Sequence, residues 1–556
     1  GAIWVNAYEN NLILLFLMIA ISLLFVSGVI SKKFLPPKLY PLVVLMIAIS
    51  LLFHSSLISS YLVSFGSDNP REYYVFKLTE NNAHWSSIFM YPWDTAYGRL
   101  NSMLSVTILP TVYSSLLNMD ATWVMKILYP LIFSLVPLCL YQLWQKNMGG
   151  KTAFIATFLF MAQNTFYTEM LGLNRQIVAE LFFVLLLLVV LSKKMKPFNK
   201  MMCFTIFSFA LVTSHYALAE IFLFFFSFVW ICLVAMKRPS RNITVTTVAL
   251  FFVVMFSWYL YTSNAAVFDS FVSFGNNVYD QLGQFFNPAS REPEILRGLG
   301  LESPPTIWNT ISRVFAYLTE FFIFVGFVAL ITKRKSIQLE IEYFMFTVMA
   351  VVLLGALIAV PGLASTMNMT RFYHTLLFFL APFTVLGAEF LVKLLSKKQT
   401  ELETSILLLV VLLPYFLFQT GFVYEFTGTQ SWSLPLGKER MGDVFVYHYT
   451  GYFYGSDVFG ALWMSRNIDV ENSKTYADSA SLYRVLTSYG MIYRGNMEVL
   501  SNITVLSANY NVYLTRVNVV DDVFIGSQLW NTSSISDVLD STNKVYSNGG
   551  CEIYSK

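Results

Sequence analysis

Apolar runs of about 20 residues, long enough to cross a bilayer as helices, recur along the first three-quarters of this chain. No single soluble core can bury that many continuous apolar helices, so the chain is read as a polytopic α-helical membrane protein. The runs fall at residues 12–30, 41–64, 122–144, 152–167, 176–192, 201–213, 217–236, 244–262, 307–331, 343–360, 373–395 and 404–423, and predict about 12 spans. Composition agrees, because only 12% of the 556 residues are charged, half the roughly 25% of soluble domains. A formal net charge of +3 is too small to imply a nucleic-acid partner. Of the four cysteines, Cys139, Cys203 and Cys232 lie in apolar runs and Cys551 outside them, so no disulfide framework is expected.

Positive residues mark alternate loops. Lys32/Lys33/Lys38, Lys146/Lys151, Lys193/Lys194/Lys196/Lys200, Lys237/Arg238/Arg241, Lys333/Arg334/Lys335 and Lys397/Lys398 all share one side. By the positive-inside rule that side is cytoplasmic. The opposite, external side then carries loops 65–121 and 264–305, the link Leu171–Arg175, the break Ser214-His215-Tyr216 and the link Ala364–Arg371. Residues 1–424 are therefore expected to form the transmembrane domain, and residues 425–556 an external soluble α/β domain. In the latter, Lys474–Ala477 and Asn511–Leu514 read as strands, Asp457–Arg466 and Ser481–Tyr489 as helices, and Val545–Tyr554 as a hairpin turned by Asn548-Gly549-Gly550.

Chemistry is expected on the face with the large loops. The first external acid, Asp68, opens loop 65–121 directly after a span, in Gly66-Ser67-Asp68-Asn69-Pro70-Arg71-Glu72-Tyr73-Tyr74. Asn69, Pro70 and Glu72 have the order of N-cap, first helical residue and capping box. They predict a helix over Arg71–Asn81 lying along the membrane surface. Glu72 thus has a structural reading beside a catalytic one. Asp68 precedes the cap and is not used by it, which leaves a solvated loop carboxylate or a catalytic base.

Five positively charged or ionisable groups are expected at the same membrane level: Arg175, His215, Arg371, His374 and, about two turns inside its span, Arg313. Fixed cations there stabilise charge that develops on a departing phosphate; snorkelling side chains and structural ion pairs are the bland alternative. Glu180, Glu220 and Glu320 lie within spans, where a charge costs about 2.5–3.5 kcal/mol to insert, so each should face a cavity or a partner. Arg313 and Glu320 share one helical face, seven residues apart, which favours a structural role. No His/Asp/Glu cluster with ligand spacing stands outside, so no metal or other cofactor is expected.

Taken in order, these segments resemble the GT-C superfamily of glycosyltransferases, which use polyprenyl-phosphate sugars. More closely, Asp68–Tyr74, Leu104–Pro110, Asn174–Glu180 and Ser214-His215-Tyr216 resemble a family of archaeal predicted membrane proteins of unassigned function. The resemblance implies transfer of a sugar, with inversion, from a polyprenyl-phosphate-linked (dolichol-type) donor to a glycan or glycoprotein acceptor at the outer face of the cell membrane. It also implies that Asp68 is the base that takes the acceptor proton, and that Arg175, His215, Arg371 and His374 contact the donor phosphate. One departure is that GT-C enzymes place this acid after their first span, whereas here it follows the second, so residues 12–30 would be an additional helix. Two other activities compete. An oligosaccharyltransferase would carry Trp-Trp-Asp-Tyr-Gly in its external domain, and only Trp93-Asp94-Thr95-Ala96-Tyr97-Gly98 echoes it, in the wrong place. A flippase for a lipid-linked sugar would show inverted repeats and broken spans near the midplane.

Overall fold

The computed structural model describes residues 1–31, 33–263, 265–332, 339–366, 368–395, 401–430, 434–438, 441–501 and 504–556. Each expected span has a helix, and nine helices among the described residues are long and apolar enough to cross a membrane. The other three are Gly150–Ala162, Asn174–Val190 and Pro197–Ser214, of 13, 17 and 18 residues. Lys32, Lys333, Arg334, Lys335, Lys397 and Lys398 of the positive loops lie outside the described residues.

Backbone contact between small residues draws the two longest helices together. A Cβ on Gly326 of Ile307–Thr332 would collide with the Phe383 carbonyl, and one on Gly387 of Met369–Leu395 with the Phe322 carbonyl. Where lipid tails are as apolar as the side chains, such close packing is what holds helices to one another.

The second span is shorter than the sequence implies. Helix Tyr40–Ser56 stops at Ser56, and residues 57–67 form a strap instead of continuing to 64. Lys126 explains the stop: its buried ammonium donates to the carbonyls of Ser56 (2.6 Å) and Tyr61 (2.8 Å), satisfying acceptors at the helix C-terminus. Farther on, Val63 bridges Tyr452 antiparallel, while the Ser64 and Phe65 N–H groups donate to the Gly451 (3.0 Å) and Thr450 (2.8 Å) carbonyls. Two successive left-handed residues, Phe65 (φ 47°) and Gly66 (φ 73°), then turn the chain into Ser67 and Asp68.

A small α/β unit follows the last helices. β1 (Lys474–Ala477), β2 (Met497–Val499), β3 (Tyr510–Leu514), β6 (Asn543–Ser547) and β7 (Glu552–Ser555) form one mixed sheet in the order β2-β1-β3-β7-β6. β4 (Val523–Ile525) and β5 (Leu529–Asn531) form a separate antiparallel pair. β6 and β7 are the closing hairpin, with Gly549 at φ 84° in its turn. The helix expected over Ser481–Tyr489 is instead two short ones, Ser479–Tyr483 and Val485–Ser488. Arg484 breaks it, turning its guanidinium onto the Tyr447 and His448 carbonyls. Buried apolar side chains of this unit, among them Tyr489, Met497 and Ile553, belong to the same continuous core as the helices.

Candidate functional site

Loop 65–121 contributes helix Asn69–Asn82, which starts one residue after Asp68. Rather than lying open on a surface, the helix buries Tyr73, Tyr74, Val75 and Phe76. Tyr73 meets Tyr489 with ring centroids 5.3 Å apart, and the Arg71 guanidinium lies 5.5 Å over the Tyr483 ring. Farther along the loop, Asp94 caps helix Thr95–Asn101 and accepts from the Tyr493 hydroxyl at 2.9 Å. The helix is thus clamped between the spans and the α/β unit.

The capping box expected around Asn69 is not formed. Asp68 holds the N-cap position without a side-chain cap bond, and Asn69 donates to the Val63 carbonyl at 2.9 Å. Glu72 caps a different helix, because its Oε2 accepts the N–H of Asn174 at 2.8 Å, where helix Asn174–Val190 begins. Its Oε1 receives Nη1 of Arg175 at 2.9 Å, and Nη2 of the same arginine donates to Asp68 Oδ2 at 2.7 Å. Two carboxylates about 100 residues upstream in the chain therefore share one guanidinium at a helix N-terminus, where negative charge is favoured.

Their surroundings set the two acids apart. Glu72 is fully enclosed, and burial raises its pKa despite Arg175, with the nearby charge of Asp68 pushing the same way. Asp68 has a side chain 35% exposed. Desolvation opposes its charge, but Arg175 and then Arg71 and Arg371 outweigh it and hold the pKa down at about 2. Among the described residues, Oδ1 of Asp68 accepts no hydrogen bond and has the Arg71 guanidinium at 3.9 Å, which leaves it the less engaged carboxylate oxygen.

Arg371 joins from the start of helix Met369–Leu395. Its Nε donates to Glu169 at 2.6 Å and its Nη2 to the Ser67 hydroxyl at 3.3 Å, directly before Asp68. Thr370 holds the other Glu169 oxygen at 2.7 Å. Glu169 and Ser67 were not singled out from the sequence. The signal for Glu169 was its place just before the external link Leu171–Arg175, as an acid at the membrane level of a cation.

His215 lies near this group without a charge, and His374 lies away from it. His215 stands in extended backbone between helices Pro197–Ser214 and Tyr216–Ala235, and its Nδ1 accepts the Leu218 N–H at 3.2 Å as an N-cap. Burial, with Arg175 and Arg371 adding repulsion, keeps its pKa well below the usual histidine value, so the ring is neutral. His374 is not brought to the group at all. It is fully buried among Phe133, Phe160 and Phe166, with Nε2 3.2 Å from Glu180. Glu180 also accepts from Gln176 at 3.1 Å, which is the partner its depth requires. Arg313 likewise stands apart, donating to the Glu302 carbonyl at 2.8 Å, while Glu320 lines a cavity.

Two cavities are lined in part by the chain neighbours of Arg371. One of about 560 Å³ is mostly apolar, walled by Phe224, Phe225, Phe271, Leu353 and Leu357, and reaches Tyr216 and Phe372. The other, about 510 Å³, is mixed, with Gln163, Asn164, Thr168, Glu169, Thr370 and Gln419 as the polar part of its walls. Thr370 lines the second cavity and Phe372 the first, one residue to either side of Arg371 in the chain. Among the described residues, no three His, Cys, Asp or Glu side chains group as a metal site.

Fold and site together define a multi-pass membrane protein with a buried acid–arginine group. The chain belongs to the family described as Predicted membrane protein (DUF2206), whose model matches residues 200–554, more than half of it. His215, Arg371 and the α/β unit lie inside the match, and Asp68, Glu72 and Arg175 before it. No curated protein matches. Among solved structures the chain is similar to the oligosaccharyltransferase of Archaeoglobus fulgidus, in complex with Zn and sulfate. There the identity is 12% and the TM-score 0.49, covering 82% of this chain and 62% of the other. It is also similar to ArnT from Cupriavidus metallidurans bound to undecaprenyl phosphate, at 10% identity and TM-score 0.47, covering 94% and 98%. The chain thus spans less than two thirds of the oligosaccharyltransferase's length.

Proposed function

We propose that this protein is a membrane glycosyltransferase that moves a sugar from a polyprenyl-phosphate donor to a hydroxyl of a glycan or glycoprotein acceptor at the outer face. The observation that supports it best is the unequal use of two carboxylates on one arginine. Glu72 spends both oxygens inside the protein, whereas Asp68 spends one and keeps Oδ1 accessible. That leaves one oriented oxygen, ionised before reaction, near Arg371, whose chain neighbours line an apolar cavity suited to an isoprenoid tail and a mixed one suited to a sugar.

In this reading the acceptor oxygen attacks the anomeric carbon from the face opposite the phosphate, forming the new C–O bond with inversion. The old C–O bond breaks, and its electron pair leaves on the polyprenyl phosphate, whose growing charge Arg371 and Arg71 stabilise. The hydroxyl proton passes to Asp68 Oδ1. A carboxylate with a pKa of about 2 is a weak base, but it suffices because the hydroxyl becomes strongly acidic as its oxygen bonds to carbon. Arg175 and Glu72 act one step back, as positioning residues. His215, being neutral, offers a hydrogen bond rather than a charge, and His374 belongs to the buried pair with Glu180.

The test is to incubate the purified protein in nanodiscs with radiolabelled polyprenyl-phosphate sugars and membrane-derived acceptors, following label transfer and release of polyprenyl phosphate. Transfer that depends on Asp68 supports the assignment. Movement of intact donor between leaflets without release of polyprenyl phosphate would establish a flippase instead.

A further inference from the structure

A third cavity, of about 610 Å³, lies at the far end of the same helices and takes no part in the chemistry above. Helix Asn174–Val190 spans the distance: Asn174 and Arg175 belong to the acid–arginine group, while Val189 and Val190 line this cavity. At 1.5 Å per residue the separation is about 24 Å, close to the thickness of a bilayer's apolar core. The positive loops place this end on the cytoplasmic side.

Three cations stand in its wall: Lys193, Lys200 and Arg241. Lys193 pairs with Glu340 at 3.0 Å, and Glu342 accepts from the Ser240 hydroxyl at 2.8 Å. Lys200 is different, because its partners, the Ser192 carbonyl and Asn242 Oδ1, are both neutral. Arg241 has no hydrogen-bond or ion partner among the described residues. Glu342 also lines the cavity, but among the described residues neither Lys200 nor Arg241 has a carboxylate within ion-pair distance. Helices Pro197–Ser214, Val245–Thr262 and Ile341–Ala359 also begin here and add the positive ends of their dipoles. The rest of the wall is mixed, with Met195, Met201 and Phe204 on its apolar side and Ser240, Asn242, Thr244 and Thr247 on its polar side. Beside it Phe198 and Val245 stand outward, 77% and 58% exposed, as side chains that meet lipid do.

We propose that this cavity binds the phosphate headgroup of an anionic phospholipid from the leaflet opposite the candidate active site. Lys200 and Arg241 hold the phosphate, and the acyl chains leave along the Met201–Phe204 side. Basic recesses between spans on the cytoplasmic side are suited to such headgroups. The assignment is independent of the glycosyltransferase reading, since none of its residues takes part there.

The experiment uses the whole protein in nanodiscs of phosphatidylcholine alone or mixed with phosphatidylglycerol. Retained lipid is read by native mass spectrometry and stabilisation by thermal unfolding, with inorganic phosphate and glycerol 3-phosphate as soluble competitors. Phosphatidylglycerol should be retained and should raise Tm. Arg241→Gln, on an exposed loop that can fold without it, should weaken retention about tenfold, equivalent to about 1.4 kcal/mol. Adding Lys200→Gln should abolish retention, and Lys33→Gln, on the same face outside the cavity, should leave it unchanged. Equal retention by all variants would overturn the proposal. So would stabilisation by inorganic phosphate alone that matches the lipid's, which would make this a site for a free anion.

Discussion

Asp68 and Glu72 sit one helical turn apart and hold opposite nitrogens of the same guanidinium, Arg175, at 2.7 and 2.9 Å. The shared arginine couples the accessible carboxylate to the enclosed one and, through Glu72, fixes both to the first turn of helix Asn174–Val190. Any change to one acid is therefore felt by the other, and the two should fail in different ways.

Replacing Asp68 by Asn keeps the side-chain size and leaves Arg175 paired with Glu72. Transfer should fall about 10²–10⁴-fold, the usual worth of a general base, with a modest fall in Tm from the lost Arg175 pair and little change in donor binding. Glu72→Gln should behave oppositely: it breaks a buried pair, so stability should drop by about 3–5 kcal/mol, while transfer per folded molecule falls less than in Asp68→Asn. Thermal unfolding with single-turnover transfer separates the two. Full activity in Asp68→Asn with loss in Glu72→Gln would move the base to the other carboxylate.

Acidification should protonate Glu72 before Asp68. The folded pKa of Asp68 is depressed, so its stabilising contribution is complete above the usual aspartate value and is lost only as pH falls to about 2. That of Glu72 is raised, so the folded state takes up its proton above the usual glutamate range, and the penalty on its charged form returns as pH rises through that folded value. An infrared difference spectrum across mildly acidic pH should show a carboxylic-acid band that disappears in Glu72→Gln and persists in Asp68→Asn. The reverse pattern would contradict the electrostatics described here.

His215 should prove separable into a cap and a hydrogen-bond donor. Ala at this position removes the acceptor for the Leu218 N–H and should cost about 0.5–2 kcal/mol. Asn restores an acceptor and should recover most of that loss. If His215→Asn is stable yet inactive, the ring acts on substrate; if it is stable and active, the histidine serves only to start its helix.

Gly172 packs so closely that an added Cβ would collide with the Ser64 carbonyl and press on Ser67 Cβ. Gly172→Ala should displace the strap that presents Asp68, costing about 1–3 kcal/mol as overpacking does. Because Ser67 also contacts Arg371, transfer should fall beyond what the stability loss explains, measured at a temperature where the variant stays folded. Unchanged transfer would show that the strap does not position the base.

Much of the architecture was legible because its signals are local. A 20-residue apolar run needs no partner to declare a span, alternating basic loops give a sidedness, and Asn548-Gly549-Gly550 between alternating residues marks a hairpin. Helix Tyr40–Ser56 is the instructive exception, since the apolar pattern continued to residue 64 while a lysine some 70 residues later ended the helix by taking its carbonyls.

The candidate site is a mixed case. Residue types and membrane level could be read along the chain, which is why Asp68, Glu72, Arg175 and Arg371 were singled out. Their partners could not. Glu72 fits a capping box for its own helix in sequence, yet caps one 102 residues away; His374 is one turn from Arg371 in sequence, yet turns to Glu180, 194 residues earlier. The sequence by itself determined a bundle of membrane helices with an α/β unit after it, because burial of apolar segments depends on each segment alone. Only the tertiary structure decided which carboxylate stays accessible and which groups carry charge. In a low-dielectric interior those outcomes depend on through-space distances between residues that no local pattern relates.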